Sequence, residues 1–313
     1  MINLDERIIK VLEKRGISGA KGIEEYLSPF ISFLRDPYLL SGMSAAVKRI
    51  QEAISNKETV VIYGDYDTDG VSAAAILYRF FKSKGIDSHV FIPNRFEDGY
   101  GLSEDTITYI TENLFPDLLI TVDCGITASK EAIQLSELGV DVIITDHHIP
   151  SGEIPEAIAV VDPKLCPNEY GFDGLCGAGV ALKVVQALGA DPSEYVDIAG
   201  IATIGDIVPL VDENRVLAFL GLQKINAEQC CTGLLALKNL SCQSQKMTSQ
   251  EASFKIIPRL NATGRMRDSM LSFKLLTTDD ASEAEQIAKE IDEINTERMD
   301  AITSSVDAIH EKL

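Results

Sequence analysis

Three aspartates follow a short apolar segment near residue 60. The segment Val61-Ile62-Tyr63-Gly64 leads directly into Asp65, Asp67 and Asp69. Carboxylates this close repel one another, and at the end of a buried strand they are tolerated when a cation lies among them. Sites built from oxygen ligands suit Mg²⁺ and Mn²⁺. The pattern therefore predicts a divalent metal site.

The same aspartates match the opening of an EF-hand calcium loop, but the rest of that loop is missing. An EF-hand requires a bidentate Glu at its twelfth position. Counted from Asp65, the twelfth position is Ile76. The flanking segments also have the patterns of a strand and a helix instead of two helices, so we reject the calcium-loop interpretation.

Three further polar clusters stand next to apolar segments. The first contains Asp123, the second contains Asp146 followed by His147 and His148, and the third contains Asp206. An isolated Asp after a strand is often a helix N-cap, so capping and metal binding are both open for Asp123. The histidine pair directly after an apolar strand favours metal binding over a solvated loop. Asp206 lies among apolar residues, where a buried carboxylate needs a partner.

A glycine pair, Gly177 and Gly179, begins a helical pattern later in the chain. The pair lacks the third glycine of a dinucleotide-binding fingerprint. It favours a tight turn that lets other groups approach the backbone closely at a helix N-terminus. Such an N-terminus can also bind phosphate. We therefore predict that both glycines contact the substrate.

Apolar runs alternate with helical patterns between residues 59 and 161. We expect strands at residues 59–63, 88–92, 118–122, 140–144 and 157–161, and helices at 45–55, 71–84 and 128–138. Near-continuous β-branched runs separated by helices indicate a parallel sheet buried on both faces. The first three polar clusters then share the carboxyl edge of the sheet, where ligands bind in open α/β folds. The predicted fold class is α/β, with a Rossmann-like, mostly parallel sheet flanked by helices.

The pattern is mostly helical outside this region. We expect helices at residues 178–188, 192–204 and 215–226, and one long acidic helix from residue 283 onward. The expected organisation is a helical extension at 1–45, a catalytic domain at 46–275 and a connecting helix at 276–313. We expect that connecting helix to lead toward a second domain that the chain does not contain.

Composition limits the classes of function. The chain has 313 residues, of which 45% are hydrophobic and 24% charged, as in globular proteins. It lacks a long apolar run and a signal-peptide pattern, so we expect a cytoplasmic protein without membrane contact. Six cysteines without CxxC spacing predict reduced thiols. The net charge of −20 argues against nucleic acid as a ligand unless bound cations offset it and any basic groove is local.

Together, the four polar clusters resemble the motifs of the DHH phosphoesterase superfamily. In chain order they are Gly64-Asp65-Tyr66-Asp67-Thr68-Asp69-Gly70, Val122-Asp123-Cys124-Gly125-Ile126, Thr145-Asp146-His147-His148 and Gly205-Asp206-Ile207-Val208-Pro209-Leu210. Segments at 36–43, 162–164, 174–181 and 259–265 fit the branch of single-strand-specific 5′→3′ DNA exonucleases. The resemblance covers nearly the whole chain and implies hydrolysis of phosphodiester bonds, in DNA repair and recombination.

The resemblance also implies a site with two metal ions, with Mn²⁺ preferred and Mg²⁺ as the alternative. By the superfamily pattern, Asp123 bridges both ions and Asp67 binds one of them. The same pattern assigns Asp69, His147 and Asp206 to the other ion.

Three neighbouring residues receive other roles from the resemblance. His148 is expected to face the scissile phosphate, where it stabilises developing charge or protonates the leaving oxygen. Asp65 and Asp146 are expected to orient ligands and histidine tautomers. Other superfamily members often have a metal-binding His where this chain has Tyr63. Either Asp65 substitutes for that histidine or the first ion binds more weakly.

The resemblance places several basic residues near this chemistry. Arginine forks suit phosphates, so we expect Arg259 or Arg265 to contact the nucleic-acid backbone, with Asn261 nearby. Arg267 either contacts the nucleic-acid backbone as well or serves only the solubility of the surface. Lys183 is expected on a solvated helix face.

Three functions are open on the sequence alone. The leading one is a 5′→3′ exonuclease acting on single-stranded DNA. The net charge of −20 gives some support to an alternative, a phosphoesterase for short oligonucleotides or cyclic dinucleotides. The third is an inactive scaffold that binds a replication or repair protein. The retained aspartates and histidines argue against the scaffold, because metal binding is what explains them together.

Overall fold

The centre of the fold is a five-stranded sheet with strand order β2-β1-β3-β4-β5. The computed structural model describes residues 4–94, 101–242, 244 and 246–310. The strands are β1 (Val60–Gly64), β2 (Ser88–Phe91), β3 (Leu118–Val122), β4 (Asp141–Thr145) and β5 (Ala159–Val161). Each of the four strand pairings is parallel. The predicted α/β class and the five predicted strands are confirmed, with strand bounds shifted by at most two residues.

Helices make up most of the remaining described chain. They are α1 (Glu6–Lys14), α2 (Gly19–Leu27), α3 (Met43–Asn56), α4 (Thr68–Ser83), α5 (Glu104–Asn113), α6 (Ser129–Glu137), α7 (Pro167–Tyr170), α8 (Gly177–Ala187), α9 (Val196–Gly205), α10 (Asp212–Asn226), α11 (Thr232–Ser241), α12 (Ser249–Glu251), α13 (Ile257–Met266), α14 (Met270–Thr277) and α15 (Ala281–His310). Short 3₁₀ turns occupy Ile31–Phe33, Pro37–Leu39, Pro163–Leu165 and Pro192–Glu194, and Ala252–Ile256 forms a π-helical turn. The helix predicted at 192–204 is therefore divided, because Pro192 begins a 3₁₀ turn and α9 starts only at Val196.

Both faces of the sheet are buried, as the β-branched strands predict. Alternate strand residues point to opposite faces. Val60, Ile62 and Ile120 lie in the larger apolar cluster, which contains buried residues of α3, α4 and α8. Val61 and Leu119 lie in a smaller cluster on the other face, with residues of α5 and α6. The sheet is thus held rigidly between two layers of helices, and its carboxyl edge is a fixed platform for side chains.

The prediction that Lys183 lies on a solvated face is wrong. Helix α8 packs against both α4 and α9, and the Lys183 side chain is 1% exposed. Its ammonium nitrogen lies 2.7 Å from Glu213 Oε1 and donates to the backbone carbonyl of Arg35 at 2.6 Å. This buried ion pair joins the N-terminal segment to α8 and α10.

Helix α15 packs against α11, α13 and α14 through its first half. Ala284, Ile287, Ile291 and Ile294 are buried there. The helix predicted from residue 283 is confirmed for the described residues, and residues 311–313 lie outside them. The division of the chain at about residues 45 and 275 stays a prediction. Among the described helices, none combines the length and the apolar character needed to cross a membrane.

Candidate metal centre

The predicted site lies where the order of the strands changes direction. The chain passes from β1 to β2 on one side, whereas β3 and β4 lie on the other side of β1. A crevice forms at such a switch point, outside the carboxyl ends of the strands. Asp65 follows β1, Asp123 follows β3 and Asp146 follows β4. The expectation that these clusters share one edge of the sheet is confirmed.

The first aspartate cluster forms the turn from β1 into α4. Asp67 is the N-cap of α4, and its Oδ1 accepts hydrogen bonds from the N–H groups of Asp69 at 2.8 Å and Gly70 at 3.1 Å. This local capping satisfies two N–H groups of the first helical turn. A Cβ at Gly70 would lie 2.5 Å from the backbone oxygen of Asp65, so the tight turn requires glycine there. The turn brings three carboxylates together within five residues.

The N-terminus of α8 holds the carboxylate of Asp69. The N–H groups of Gly177 and Ala178 donate to Asp69 Oδ2 and Oδ1 at 2.6 and 2.9 Å. The positive end of the helix dipole favours the ionised carboxylate at this point. A Cβ at Gly177 would lie 2.5 Å from Asp123 Oδ1, whereas a Cβ at Gly179 would be 3.3 Å from Leu175. Gly177 therefore packs directly against the candidate centre, and substrate contact by either glycine stays a prediction.

His147 connects the carboxylates that come from different elements. Its Nε2 lies 3.0 Å from Asp123 Oδ1 and 3.6 Å from Asp69 Oδ2, and its Nδ1 lies 3.8 Å from Asp206 Oδ2. Asp206 reaches the site from the C-terminal end of α9. The possible ligand atoms of each of three overlapping groups lie within 4.8 Å of one another: Asp69, His147 and Asp206; Asp65, Asp67 and Asp123; and Asp123, His147 and His148.

Several buried polar atoms of these groups have no hydrogen-bond partner among the described residues. They are Asp65 Oδ1, Asp123 Oδ1 and His147 Nε2. Although the last two atoms are 3.0 Å apart, their orientation does not form a hydrogen bond. A buried polar atom without a partner is costly, and a cation would satisfy all three atoms. The donor set of carboxylate oxygens and one imidazole fits Mn²⁺ or Mg²⁺.

The pKa values of these groups depend strongly on burial. Burial and the neighbouring carboxylates raise the pKa of Asp65 to about 7, that of Asp69 to about 6 and that of Asp206 to about 6. The same causes raise the pKa of Asp123 well above its ordinary value. Burial lowers the pKa of His147, which favours the neutral imidazole that a metal ligand requires. A divalent cation among the carboxylates would favour their ionised forms.

Asp146 orients the loop that carries the two histidines. Its Oδ1 accepts from the N–H of His147 at 2.7 Å and lies 2.8 Å from His148 Nδ1. Its Oδ2 accepts from the N–H of Ile126 at 2.9 Å. The hydrogen bond to Asp146 raises the pKa of His148, whose side chain is 46% exposed. Burial acts to raise the pKa of Asp146, but the hydrogen bonds outweigh it and the net change is a lowering. Asp146 thus holds the backbone of the histidine loop and the ring of His148, and its role in the chemistry stays a prediction.

Tyr63 is buried in β1, within the smaller apolar cluster. Its hydroxyl donates to the backbone oxygen of Gly101 at 2.7 Å, and its ring stacks on Phe91 with centroids 5.6 Å apart. Asp65, in contrast, lies together with Asp67 and Asp123. This placement favours the substitution of Asp65 for the histidine of other superfamily members, although its role as a ligand stays a prediction.

The residues predicted to bind substrate have different surroundings. Asn261 Oδ1 accepts from the backbone N–H and the hydroxyl of Thr68 at 2.8 and 2.9 Å, which fixes the start of α4. Arg259 is paired with Asp292 of α15 at 2.7 Å. The Arg265 side chain is exposed and makes no hydrogen bond or ion pair within the part of the chain described. Contact between these residues and a substrate stays a prediction.

Lys164 was not assigned a role from the sequence, although it lies beside the centre. Its ammonium group donates to the backbone oxygen of His147, and its charge acts to lower the pKa of Asp206. Asp162 is fully buried next to it and accepts from the N–H of Lys164 at 2.8 Å. Burial raises the pKa of Asp162 to about 7. The sequence signal for both residues was their position directly after the fifth predicted strand, at the same edge of the sheet.

Comparisons with known proteins agree with this geometry. A sequence profile of the DHH family, N-terminal domain, matches residues 59–205. The single-stranded-DNA-specific exonuclease RecJ of Bacillus subtilis is 40% identical over 311 residues, which are 98% of this chain and 39% of the relative. The chain therefore spans about two-fifths of the length of that relative.

Two solved structures are similar over most of the chain. The crystal structure of an exonuclease RecJ bound to manganese is 37% identical, with a TM-score of 0.79, and the match covers 88% of this chain and 69% of that chain. The crystal structure of RecJ from Thermus thermophilus in complex with Mn²⁺ is 34% identical, with a TM-score of 0.81. That match covers 96% of this chain and 43% of the Thermus chain.

Proposed function

The chain belongs to the RecJ branch of the DHH family, and from this premise we propose that it is a metal-dependent 5′→3′ exonuclease acting on single-stranded DNA. The observation that carries the proposal is the set of carboxylates and imidazole around Asp123, with buried ligand atoms that lack protein partners. A role in DNA repair and recombination, with a replication or repair protein as partner, is part of the same proposal.

The proposed centre holds two ions, Mn²⁺ by preference and Mg²⁺ as the alternative. Asp65, Asp67 and Asp123 form one group of ligands, and Asp69, His147 and Asp206 form the other, with Asp123 within reach of both. When bound, the ions lower the pKa of water so that it can attack phosphorus near neutral pH, and they offset charge on the phosphate.

The protein itself supplies orientation and a proton. Asp146 accepts the Nδ1 proton of His148 in a hydrogen bond, so Nε2 is the atom turned to the substrate. The raised pKa of His148 favours the protonated ring, which can donate to the leaving oxygen. The N–H groups of Gly177 and Ala178 hold Asp69 in place for its role as a ligand.

Positive charge for the DNA backbone comes from a small number of side chains. Lys164 lies beside His147 and is proposed to contact the phosphate next to the cleaved bond. Arg265 is proposed to contact the backbone farther from the centre, because its guanidinium is exposed and unpaired among the described residues. Arg259 contributes by holding α13 against α15.

Product analysis with end-labelled strands tests the proposal. A long single strand is labelled at its 5′ end or at its 3′ end and incubated with the protein and Mn²⁺. Early release of labelled mononucleotide from the 5′-labelled strand alone is expected, and Asp123→Ala serves as the inactive control. The net charge of −20 favours a second candidate, a phosphoesterase for short oligonucleotides. Cleavage of molecules of a few nucleotides, with long strands left intact, would support that candidate instead.

A further inference from the structure

Ile207 combines two unfavourable features beside the candidate metal centre. Its φ angle is +60°, in the left-handed region, and its side chain is 88% exposed. It directly follows Asp206, whose Oδ2 lies 3.8 Å from His147 Nδ1. The residue is therefore at the solvent side of the proposed ligands.

The backbone conformation of Ile207 is strained. Helix α9 ends at Gly205, Asp206 is its C-cap, and Ile207 is the first residue beyond. A left-handed residue is common at this position, but it is usually Gly or Asn. An L residue with a Cβ is crowded by the following carbonyl oxygen there, and for a β-branched residue the conformation is a true outlier.

Burial of the Ile207 side chain does not compensate for this strain. An apolar side chain stabilises a protein when it is removed from water, and Ile207 remains in water. Glycine would fit the turn with less strain and with no exposed apolar surface. Strained residues of this kind are concentrated at functional sites, where the observed outlier is grounds for a functional hypothesis.

A second exposed apolar side chain adjoins a residue of the same site. Ile149 is 76% exposed and directly follows His148. Exposed apolar groups thus follow both Asp206 and His148 in the chain, and such groups suit the flat faces of unpaired nucleobases.

We propose that Ile207 contacts the nucleobase next to the cleaved phosphodiester bond and so selects substrates with an unpaired base. The proposal rests on the function proposed above. The net charge of −20 disfavours the approach of the DNA backbone, so a contact with the uncharged base adds affinity that charge does not supply. A paired base has its face covered by stacking, and Ile207 therefore favours single strands.

Glycine substitution separates this role from a structural one. Ile207→Gly removes both the strain and the contact, Ile207→Leu keeps an apolar contact, and Lys57→Gly is a matched control. Lys57 is an exposed C-cap residue of α3 with φ +55°. It precedes β1, whereas Asp65 follows the opposite end of that strand. The measurements are the melting temperature, the Mn²⁺ dissociation constant and KM for single strands with either a normal or an abasic 5′-terminal nucleotide.

Opposite changes in stability and substrate binding are expected. Both glycine variants should melt at the wild-type temperature or about 1–2 °C higher. Ile207→Gly should bind Mn²⁺ normally but have a KM about fivefold higher for the normal strand. It should also lose most of the wild-type preference for the normal over the abasic strand, whereas Ile207→Leu and Lys57→Gly keep that preference.

The results distinguish failure of this inference from failure of the proposed function. If the wild-type protein hydrolyses neither strand with Mn²⁺, the proposed exonuclease function fails, and the inference fails with it. If the wild type is active and Ile207→Gly retains the wild-type KM and strand preference, only the inference is overturned. A loss of Mn²⁺ affinity in Ile207→Gly would also overturn it, because Ile207 would then serve to position Asp206.

Discussion

A single methyl group at Gly177 should disturb the metal centre more than the fold. A Cβ at this position would lie 2.5 Å from both Cβ and Oδ1 of Asp123 and 2.7 Å from its Cγ. Real Cβ atoms essentially never show contacts below 3.0 Å. The Cβ of Asp123 is attached to its backbone and cannot swing aside, so the whole residue must move, by about 1 Å.

The expected effects follow from that displacement. A ligand or reacting group misplaced by about 1 Å costs on the order of 100-fold in rate. Disturbed support of a metal ligand typically costs about 10- to 100-fold in affinity, which is about 1.4–2.7 kcal/mol. Overpacking destabilises a fold by about 1–3 kcal/mol, and the better helix propensity of Ala offsets up to about 1 kcal/mol of this. Gly177→Ala should therefore be folded, weak in Mn²⁺ binding and nearly inactive.

Gly179→Ala is the matched control on the same helix. A Cβ there would lie 3.3 Å from Leu175 Cδ2 and 3.6 Å from Leu217, so these side chains need to give way by only a few tenths of an ångström. Calorimetric titration with Mn²⁺, hydrolysis of a labelled single strand and circular dichroism are measured for both variants. The control should match the wild type in Mn²⁺ affinity and in circular dichroism. Equal Mn²⁺ affinity and equal hydrolysis in the two variants would refute the placement of Gly177 against a metal ligand.

Three further predictions test separate parts of the structure. Asp123→Ala should abolish Mn²⁺ binding in calorimetry, and His147→Ala should abolish hydrolysis. Circular dichroism should show an intact fold for both variants. Full activity of either variant would contradict the ligand assignment. Lys164→Met should raise KM about tenfold with Mn²⁺ affinity unchanged, and Lys164→Arg should restore it if phosphate contact is the cause. Lys183→Met should lower the free energy of unfolding by about 1–3 kcal/mol in urea titrations, because the buried Glu213 loses its ammonium partner and keeps only Tyr170 and Arg35. An unchanged midpoint would exclude this.

The sheet and the positions of its polar clusters could be predicted from local pattern. Runs such as residues 118–122 are buried on both faces, and β3 is Leu118–Val122 in the structure. Once the strands are parallel, residues that directly follow them must share one edge, which brings Asp65, Asp123 and Asp146 together. The site was predictable because it depends on the order and direction of strands more than on individual side-chain contacts.

The environments of the basic residues could not be predicted in this way. Lys183 is buried because Glu213, 30 residues later, comes to lie beside it, and Arg259 is paired because Asp292 is on a helix that packs against α13. Lys164 reaches the carbonyl of His147 because β5 pairs with β4. Such contacts depend on packing between elements, which residue type and spacing do not determine.

The pairing of arginines with α15 changes how the net charge of −20 bears on function. Arg259 of α13 is paired with Asp292, and Arg267, the C-cap residue of α13, is paired with Glu297. The acidic helix α15 thus neutralises two cations that could otherwise bind phosphate. Arg259 and Arg267 therefore do not form an extended basic groove. For the proposed function, the described residues offer the proposed metal ions, Lys164 and Arg265 as positive groups, and apolar side chains for contacts with bases. A site of this kind favours strands whose bases are unpaired, because a duplex offers it phosphates but no base faces.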